Sequence, residues 1–259
     1  MVLFNYLKST ILSKVVMAVT GVLLVLFLFG HMLGNLQVFI GSEAYNSYSQ
    51  FLQSLGEILW LIRIVLFIAL VLHIITSIRL KLLNRCANPT RYEVKNYVKA
   101  TLTARTMIWT GIMIFCFLAF HLAQFTLRIT DDESKNMKDM NDKNYSMFLK
   151  DPRGSVEINK DKYFYAEGIK IMKERHDTYK MVVKGFRNPL ISLLYVVAMV
   201  ILVFHLNHAI QSAFQTLGLN HPNYWPCIQR SSFWVSLLIG IGFCLVPLSI
   251  MLGFVGAGV

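Results

Sequence analysis

Five long apolar runs constrain this chain more than any other feature of its sequence. They cover residues 15–39, 58–83, 106–127, 189–214 and 233–255. A helix needs about 20 residues to cross the hydrocarbon core of a bilayer, at about 1.5 Å per residue, and each run is long enough. Only 15% of the residues are charged, against about 25% in a soluble domain. The sequence therefore predicts an all-α integral membrane protein, a bundle of five transmembrane helices forming one domain over residues 1–259.

Basic residues are concentrated in the connection between the second and third runs. Residues 78–105 contain seven of them and a single acidic residue, whereas residues 40–57 contain no basic residue. The positive-inside rule places the more basic connections in the cytoplasm. We therefore expect the N-terminus and residues 78–105 in the cytoplasm, and the first connection and the C-terminus outside. The net charge of +11 mainly reflects this topology, and it would also suit the docking of an acidic partner.

The connection between the third and fourth runs, residues 128–187, is long and strongly charged. It holds 14 basic and 11 acidic residues, which are interleaved. The alternation of the helices places this loop outside. Its basic residues do not argue against this placement, because long loops are exempt from the positive-inside count. An ordered insertion, a small cap and a disordered loop are all compatible with its sequence. Asn188 followed by Pro189 predicts the start of the fourth helix, and Ser231 and Ser232 are interpreted as the cap of the fifth.

Five of the seven histidines lie inside the apolar runs. Burying an unpaired polar group costs about 2–7 kcal/mol, so each of these rings needs a partner. Four of them, His31, His73, His121 and His205, follow the start of their run by 15 or 16 residues. This spacing places each about 22–24 Å from its entry face. Because the helices alternate in direction, His31 and His121 are expected near the outer face, and His73 and His205 near the cytoplasmic face.

Two imidazoles from two facing helices are the ligand set of a six-coordinate b-type haem. Zinc would require further Cys, Asp or Glu ligands, and a proton relay would normally include carboxylates; neither accompanies the four histidines. The absence of a CxxCH motif excludes covalent haem attachment of the c type. The spacing therefore predicts two haems b, the outer held by His31 and His121 and the inner by His73 and His205. Small residues beside the histidines favour a flat macrocycle: Gly30, Gly34 and Ala209.

Two stretches of the chain carry a resemblance to a known family. The segments "SKVVMAVTGVLLVLFLFGHMLGNLQVFIGSEAYNSY" and "FHLNHAIQSAFQTLGLN" closely resemble the cytochrome b558 membrane subunit of succinate dehydrogenase and fumarate reductase. The likeness is to the single-subunit, five-helix, di-haem type, and it extends over all five runs. It implies a subunit of the bacterial cytoplasmic membrane that anchors a flavoprotein and an iron–sulfur subunit. Such a subunit carries electrons between menaquinone and the iron–sulfur clusters, with no succinate or fumarate chemistry of its own.

The resemblance also bears on individual residues. The family's four ligand positions correspond to His31, His73, His121 and His205. His208 lies three residues after His205, so either ring could serve as the fourth ligand. Gly218 fits the family pattern and favours His205. The sequence departs from the family in its longer charged loop, and in Val203, where some members carry a glutamate associated with transmembrane proton transfer.

Two other functions remain open from the residues alone. One is the cytochrome b subunit of a formate dehydrogenase or hydrogenase, which normally draws both haems from fewer helices. The other is a histidine-lined metal transporter without haem, which would be expected to carry carboxylates within the membrane. Here four helices contribute one histidine each. This arrangement favours the membrane subunit of succinate dehydrogenase or fumarate reductase over both of these alternatives.

Polar residues near the ends of the runs are candidates for contacts with the haem propionates. Arg63 lies about 8 Å inside the outer end of the second run, where a guanidinium needs a partner or must reach out to the interface. The candidates near the inner ends are Arg79, Arg105, His208, Gln211 and Ser212.

Further polar and aromatic residues lie where menaquinone would approach the outer haem. They are Asn35, Gln37, Glu43, Glu57 and Trp60. Among these, Glu57 is the best candidate for exchanging protons with the quinone, although a carboxylate at an interface is commonly just solvated.

Overall fold

The structure, a computed structural model, describes residues 9–87, 101–129, 157–158, 163–166, 169–173 and 176–257. Within these residues, five helices are long and apolar enough to cross a membrane. They are α1 (Thr10–Leu36), α3 (Glu57–Cys86), α4 (Leu102–His121), α6 (Pro189–Thr216) and α7 (Trp225–Met251). The prediction of five helices long and apolar enough to span a membrane is therefore confirmed. Outside the described residues lie the basic residues 91, 95 and 99 and much of the charged loop, including all of residues 130–156.

The connections contain shorter elements. Helix α2 (Ser42–Ser54) follows a 3-10 turn, Gln37–Phe39, at the end of α1. After α4 come the strands β1 (Glu157–Ile158), β2 (Tyr163–Ala166) and β3 (Ile169–Lys173), and then helix α5 (Thr178–Arg187). The strands form an antiparallel sheet in the order β1-β2-β3. The charged connection thus contains regular structure in its described part.

The start of α6 matches its sequence pattern, whereas the start of α7 does not. The Asn188 side chain accepts a hydrogen bond from the Leu190 backbone N–H at 3.0 Å, directly before Pro189. Helix α7 begins at Trp225, so the interpretation of Ser231 and Ser232 as its cap is wrong. The Ser232 hydroxyl instead donates to the carbonyl four residues earlier, at 2.7 Å. A serine bonded in this way is satisfied inside a helix and does not end it.

The described chain divides into two compact units. Unit 1 comprises the described residues within Met1–Leu33, Glu57–Phe117 and Tyr195–Leu245, and unit 2 comprises those within Gly34–Gly56, Leu118–Leu194 and Val246–Val259.

In unit 2, a buried polar contact joins α2 to the start of α5. The Asn46 amide donates to the Asp177 carboxylate at 3.0 Å, and its carbonyl oxygen accepts from the Tyr179 backbone N–H at 2.9 Å. Asp177 also caps α5 by accepting from the Lys180 backbone N–H at 2.9 Å. The polar atoms of this contact are thereby paired, as buried polar groups must be. The apolar face of α5 is buried beside them: Tyr179, Met181, Val182, Val183 and Phe186.

In unit 1, two glycines of α7 allow close packing against neighbouring helices. A Cβ atom added at Gly240 would collide with the side chain of Val203 on α6. A Cβ atom added at Gly242 would collide with the side chain of Met32 on α1. Small residues at such positions let helix backbones approach each other in a membrane. Val203 therefore serves as a packing residue for α7.

The two glycines predict different costs for the same substitution. We expect Gly240→Ala to destabilise the protein by about 1–3 kcal/mol, as overpacking does, because the β-branched Val203 is stiff at χ1 and cannot move aside. Gly242→Ala is the matched control and should cost less, since the flexible thioether of Met32 adapts to its neighbours. Thermal unfolding in detergent measures both effects. Adding Val203→Ala should restore the Gly240→Ala variant, and equal losses for the two glycine variants would contradict the expectation.

Candidate functional site

His73 of α3 is held by the backbone and a hydroxyl of α1. Its Nδ1 atom lies 3.2 Å from the Met17 carbonyl oxygen and 3.4 Å from Thr20 Oγ1. A carbonyl oxygen only accepts hydrogen bonds, so Nδ1 must carry the hydrogen. In the neutral ring Nε2 then keeps its lone pair, which is the atom that a metal would bind.

His205 of α6 is held in a corresponding way by α4. Its Nδ1 atom lies 3.1 Å from Thr110 Oγ1, while the Thr110 hydroxyl donates to the Met107 carbonyl at 2.9 Å. The single hydroxyl hydrogen is thereby used, and Thr110 Oγ1 accepts from Nδ1–H. Among the described residues, the hydrogen bonds of His73 and His205 use Nδ1 alone. Both rings therefore share one tautomer.

Each of these rings also lies against a glycine next to its threonine. A Cβ atom at Gly21 would lie 3.3 Å from His73 Cε1, and one at Gly111 would lie 3.5 Å from His205 Cε1. Unit 1 thus contains both histidines that the sequence predicts as the inner pair, and each lies against a Thr-Gly pair of another helix. Their pairing stays a prediction.

The two threonines were not among the residues singled out from the sequence. The segments "TGVLLVLFLFGH" and "TGIMIFCFLAFH" each place Thr-Gly before a histidine, with 11 residues from Thr20 to His31 and from Thr110 to His121. This shared pattern was available in the sequence and would have pointed to both threonines. It did not show which histidine they hold, because the rings that they contact belong to other helices.

The other two predicted ligands have aromatic neighbours. In unit 1, His31 stacks on Phe27 with ring centroids 5.4 Å apart, and it also contacts Phe243 at 5.8 Å. In unit 2, His121 contacts Phe125 edge-on at 5.6 Å. A π-helical turn, Leu122–Thr126, follows His121 directly, and such turns occur frequently at functional sites. The pairing of His31 with His121 stays a prediction.

The residues predicted to contact the haem propionates differ in their partners and in their burial. Arg79 Nη1 donates to Ser13 Oγ at 2.6 Å, and Gln211 donates to the Asn207 side chain at 2.8 Å. The Arg63 guanidinium lies over the Trp60 ring, 5.1 Å from its centroid. Arg105 is exposed on α4, and the remaining candidates on α6 are half-buried: His208, Ala209 and Ser212.

The predicted glycines and outer polar residues lie in different surroundings. Gly34 is buried against the Tyr48 ring, whereas a Cβ at Gly30 would meet open space. Asn35 Oδ1 accepts from the Tyr45 hydroxyl at 3.2 Å. Burial, with a further contribution from Tyr48, raises the pKa of Tyr45 to about 12, so this phenol stays protonated as the donor.

The carboxylates of the predicted quinone region are both exposed. Glu57 is the first residue of α3 and belongs to unit 1, as does Trp60, which is 62% exposed. Glu43 accepts from Ser47 at 2.9 Å in α2, and Gln37 is half-buried in the 3-10 turn. These two residues and Asn35 belong to unit 2.

Unit 1 holds two imidazoles in an apolar setting, and each could bind a metal through Nε2. Within the described residues, no three His, Cys, Asp or Glu side chains come together as candidates for holding a metal ion. Axial ligation of a haem iron needs only two protein ligands, which His73 and His205 could supply. No protein-family model, curated protein or solved structure matches the chain.

Proposed function

We propose that this chain is the di-haem cytochrome b membrane subunit of a succinate:quinone oxidoreductase. In this role it anchors the flavoprotein and iron–sulfur subunits and connects menaquinone to the iron–sulfur clusters through two haems b. One observation carries the proposal above the others. His73 and His205 come from two helices, and both are held through Nδ1 so that Nε2 is available.

The residues around this pair fit a haem. Metal-ligating histidines nearly always donate a hydrogen bond from the ring nitrogen that does not bind the metal. This bond sets the tautomer and the ring orientation. Met17, Thr20 and Thr110 provide it here. When bound, the haem supplies an iron that accepts and releases one electron at a time.

The remaining parts of the chain suit the other tasks of such a subunit. The five apolar helices exclude water and hold the histidines within the membrane. The described end of α3 and the start of α4 carry basic residues: Arg79, Lys81, Arg85 and Arg105. In our proposal this side is cytoplasmic, and the positive charge favours the docking of an acidic surface of the iron–sulfur subunit. Menaquinone is then bound at the opposite side, near Glu57 and Trp60.

The haem content of the purified protein tests the proposal. We expect two non-covalent haems b per chain, extractable with acid-acetone and quantified by a reduced-minus-oxidised spectrum against protein concentration. A ratio near one, or none, would contradict the di-haem assignment. A protein without haem would instead support the histidine-lined transporter.

The identity of the complex needs a second measurement. We expect the chain to co-purify with a flavoprotein and an iron–sulfur subunit, and the complex to couple menaquinol to fumarate, or succinate to menaquinone. A haem-containing chain that co-purifies with a formate dehydrogenase or hydrogenase would overturn this part of the proposal while leaving the haem ligands in place.

A further inference from the structure

The two rings of the inner pair differ in how many acceptors face Nδ1–H. His73 has two, the Met17 carbonyl oxygen at 3.2 Å and Thr20 Oγ1 at 3.4 Å. His205 has one, Thr110 Oγ1 at 3.1 Å. The Met17 carbonyl belongs to the backbone, so a side-chain substitution does not remove it. The loss of a threonine hydroxyl should therefore affect the two rings unequally.

An acceptor on Nδ1–H changes the ligand chemistry of the opposite nitrogen. It draws the hydrogen away from the ring, so that Nε2 becomes more basic and the ring orientation is restricted. A more basic axial ligand stabilises ferric over ferrous iron and lowers the midpoint potential of the haem. Removing the acceptor reverses both effects.

We infer that Thr110 is a positioning residue that sets the ligand strength of His205. Thr20 has the same role for His73, but there the Met17 carbonyl is a second acceptor that remains when the Thr20 hydroxyl is removed. This inference rests on the proposed function, in which His73 and His205 hold the same haem. Thr110 acts through His205, and its hydroxyl is oriented for this by its own bond to the Met107 carbonyl, at 2.9 Å.

The experiment compares Thr110→Val with Thr20→Val, the same nearly isosteric substitution at both positions. We expect Thr110→Val to raise the midpoint potential of the inner haem and to weaken its retention about 10-fold or more, as is typical of lost outer-shell partners. Thr20→Val should change both quantities much less. A redox titration that resolves the two haems, followed by haem loss to apomyoglobin, measures them. The haem of His31 and His121 serves as the internal reference and should not shift.

Two further variants separate the hydrogen bond from general packing. Thr110→Ser keeps the hydroxyl and should restore the wild-type potential. Thr106→Val removes a comparable bond, from the Thr106 hydroxyl to the Leu102 carbonyl at 2.9 Å on the same helix, and should leave both potentials unchanged. If Thr110→Val does not accumulate, Thr110→Cys provides a weaker acceptor and should shift the potential in the same direction.

The possible outcomes distinguish a failure of this inference from a failure of the proposed function on which it rests. Wild-type protein without haem would overturn the proposed function. Wild-type protein with two haems, together with an unshifted inner potential in Thr110→Val or Thr110→Cys, would overturn the inference alone. Equal shifts in Thr20→Val and Thr110→Val would overturn the asymmetry that the Met17 carbonyl predicts.

Discussion

His205→Ala should leave the purified protein with one haem in place of two. In our proposal His205 is the ligand that α6 contributes to the inner haem. Its Nδ1 atom lies 3.1 Å from Thr110 Oγ1. Alanine offers no ligand, and a six-coordinate b-type haem with one axial ligand missing is weakly retained. The remaining haem, assigned to His31 and His121, should stay in place. The haem-to-chain ratio from the reduced-minus-oxidised spectrum measures this change, which should be close to a complete loss of one signal.

His208→Ala is the matched control for this prediction. His208 is on the same helix, three residues after His205, but its ring makes no hydrogen bond with α4 among the described residues. We expect this variant to keep both haems. If His208→Ala loses a haem and His205→Ala does not, the fourth ligand has been assigned to the wrong histidine. His73→Ala should behave as His205→Ala does, because the two rings share one haem in our proposal.

Glu57→Gln should lower quinone-linked turnover by about 100-fold, the lower range for removing a positioned acid–base group. Quinol oxidation releases protons that must reach water, and Glu57 is an exposed carboxylate at the first residue of α3. Glutamine keeps the size and polarity of the side chain but does not titrate. The haem content should be unchanged, since Glu57 is not a ligand. Turnover with menaquinol and fumarate, or with succinate and menaquinone, measures the effect in the intact complex.

The assay with a soluble artificial acceptor separates quinone chemistry from assembly. Succinate oxidation by this acceptor bypasses the membrane subunit, so Glu57→Gln should not affect it. An equal loss in both assays would mean that Glu57 supports assembly. Glu43→Gln is the comparison variant, because the Glu43 carboxylate is exposed and bonded to Ser47 at 2.9 Å. Unchanged quinone turnover in Glu57→Gln, with a loss in Glu43→Gln, would move the proton exchange to Glu43.

The membrane helices could be predicted because hydrocarbon leaves the backbone few choices. A run of about 20 apolar residues in a bilayer must satisfy its N–H and C=O groups internally, and a helix does so. The ends of the helices were less predictable. Helix α7 begins at Trp225 although its apolar run begins at Phe233. Hydropathy marks where the apolar run begins, whereas the helix starts before that boundary, and the Ser232 hydroxyl within it bonds to the Ile228 carbonyl.

The polar contacts of unit 2 could not be predicted from local patterns. Asn46 and Asp177 are 131 residues apart in the chain, and their hydrogen bond joins two short helices. Nothing in either local sequence specifies the other partner. The described strands of the charged connection were equally outside the reach of hydropathy, because alternating charges do not distinguish an ordered insertion from a loop.

The sequence by itself determined that five segments form helices long and apolar enough to cross a membrane, and it predicts the depth of their histidines. Depth follows from counting residues along a helix with a constant rise. Only the tertiary structure decided which groups face each ring, because this depends on the rotation of each helix and on the identity of its neighbour. Thr20 reaches His73 from α1, and Thr110 reaches His205 from α4. Those contacts assign the hydrogen to Nδ1, and they leave Nε2 of both rings available as a ligand.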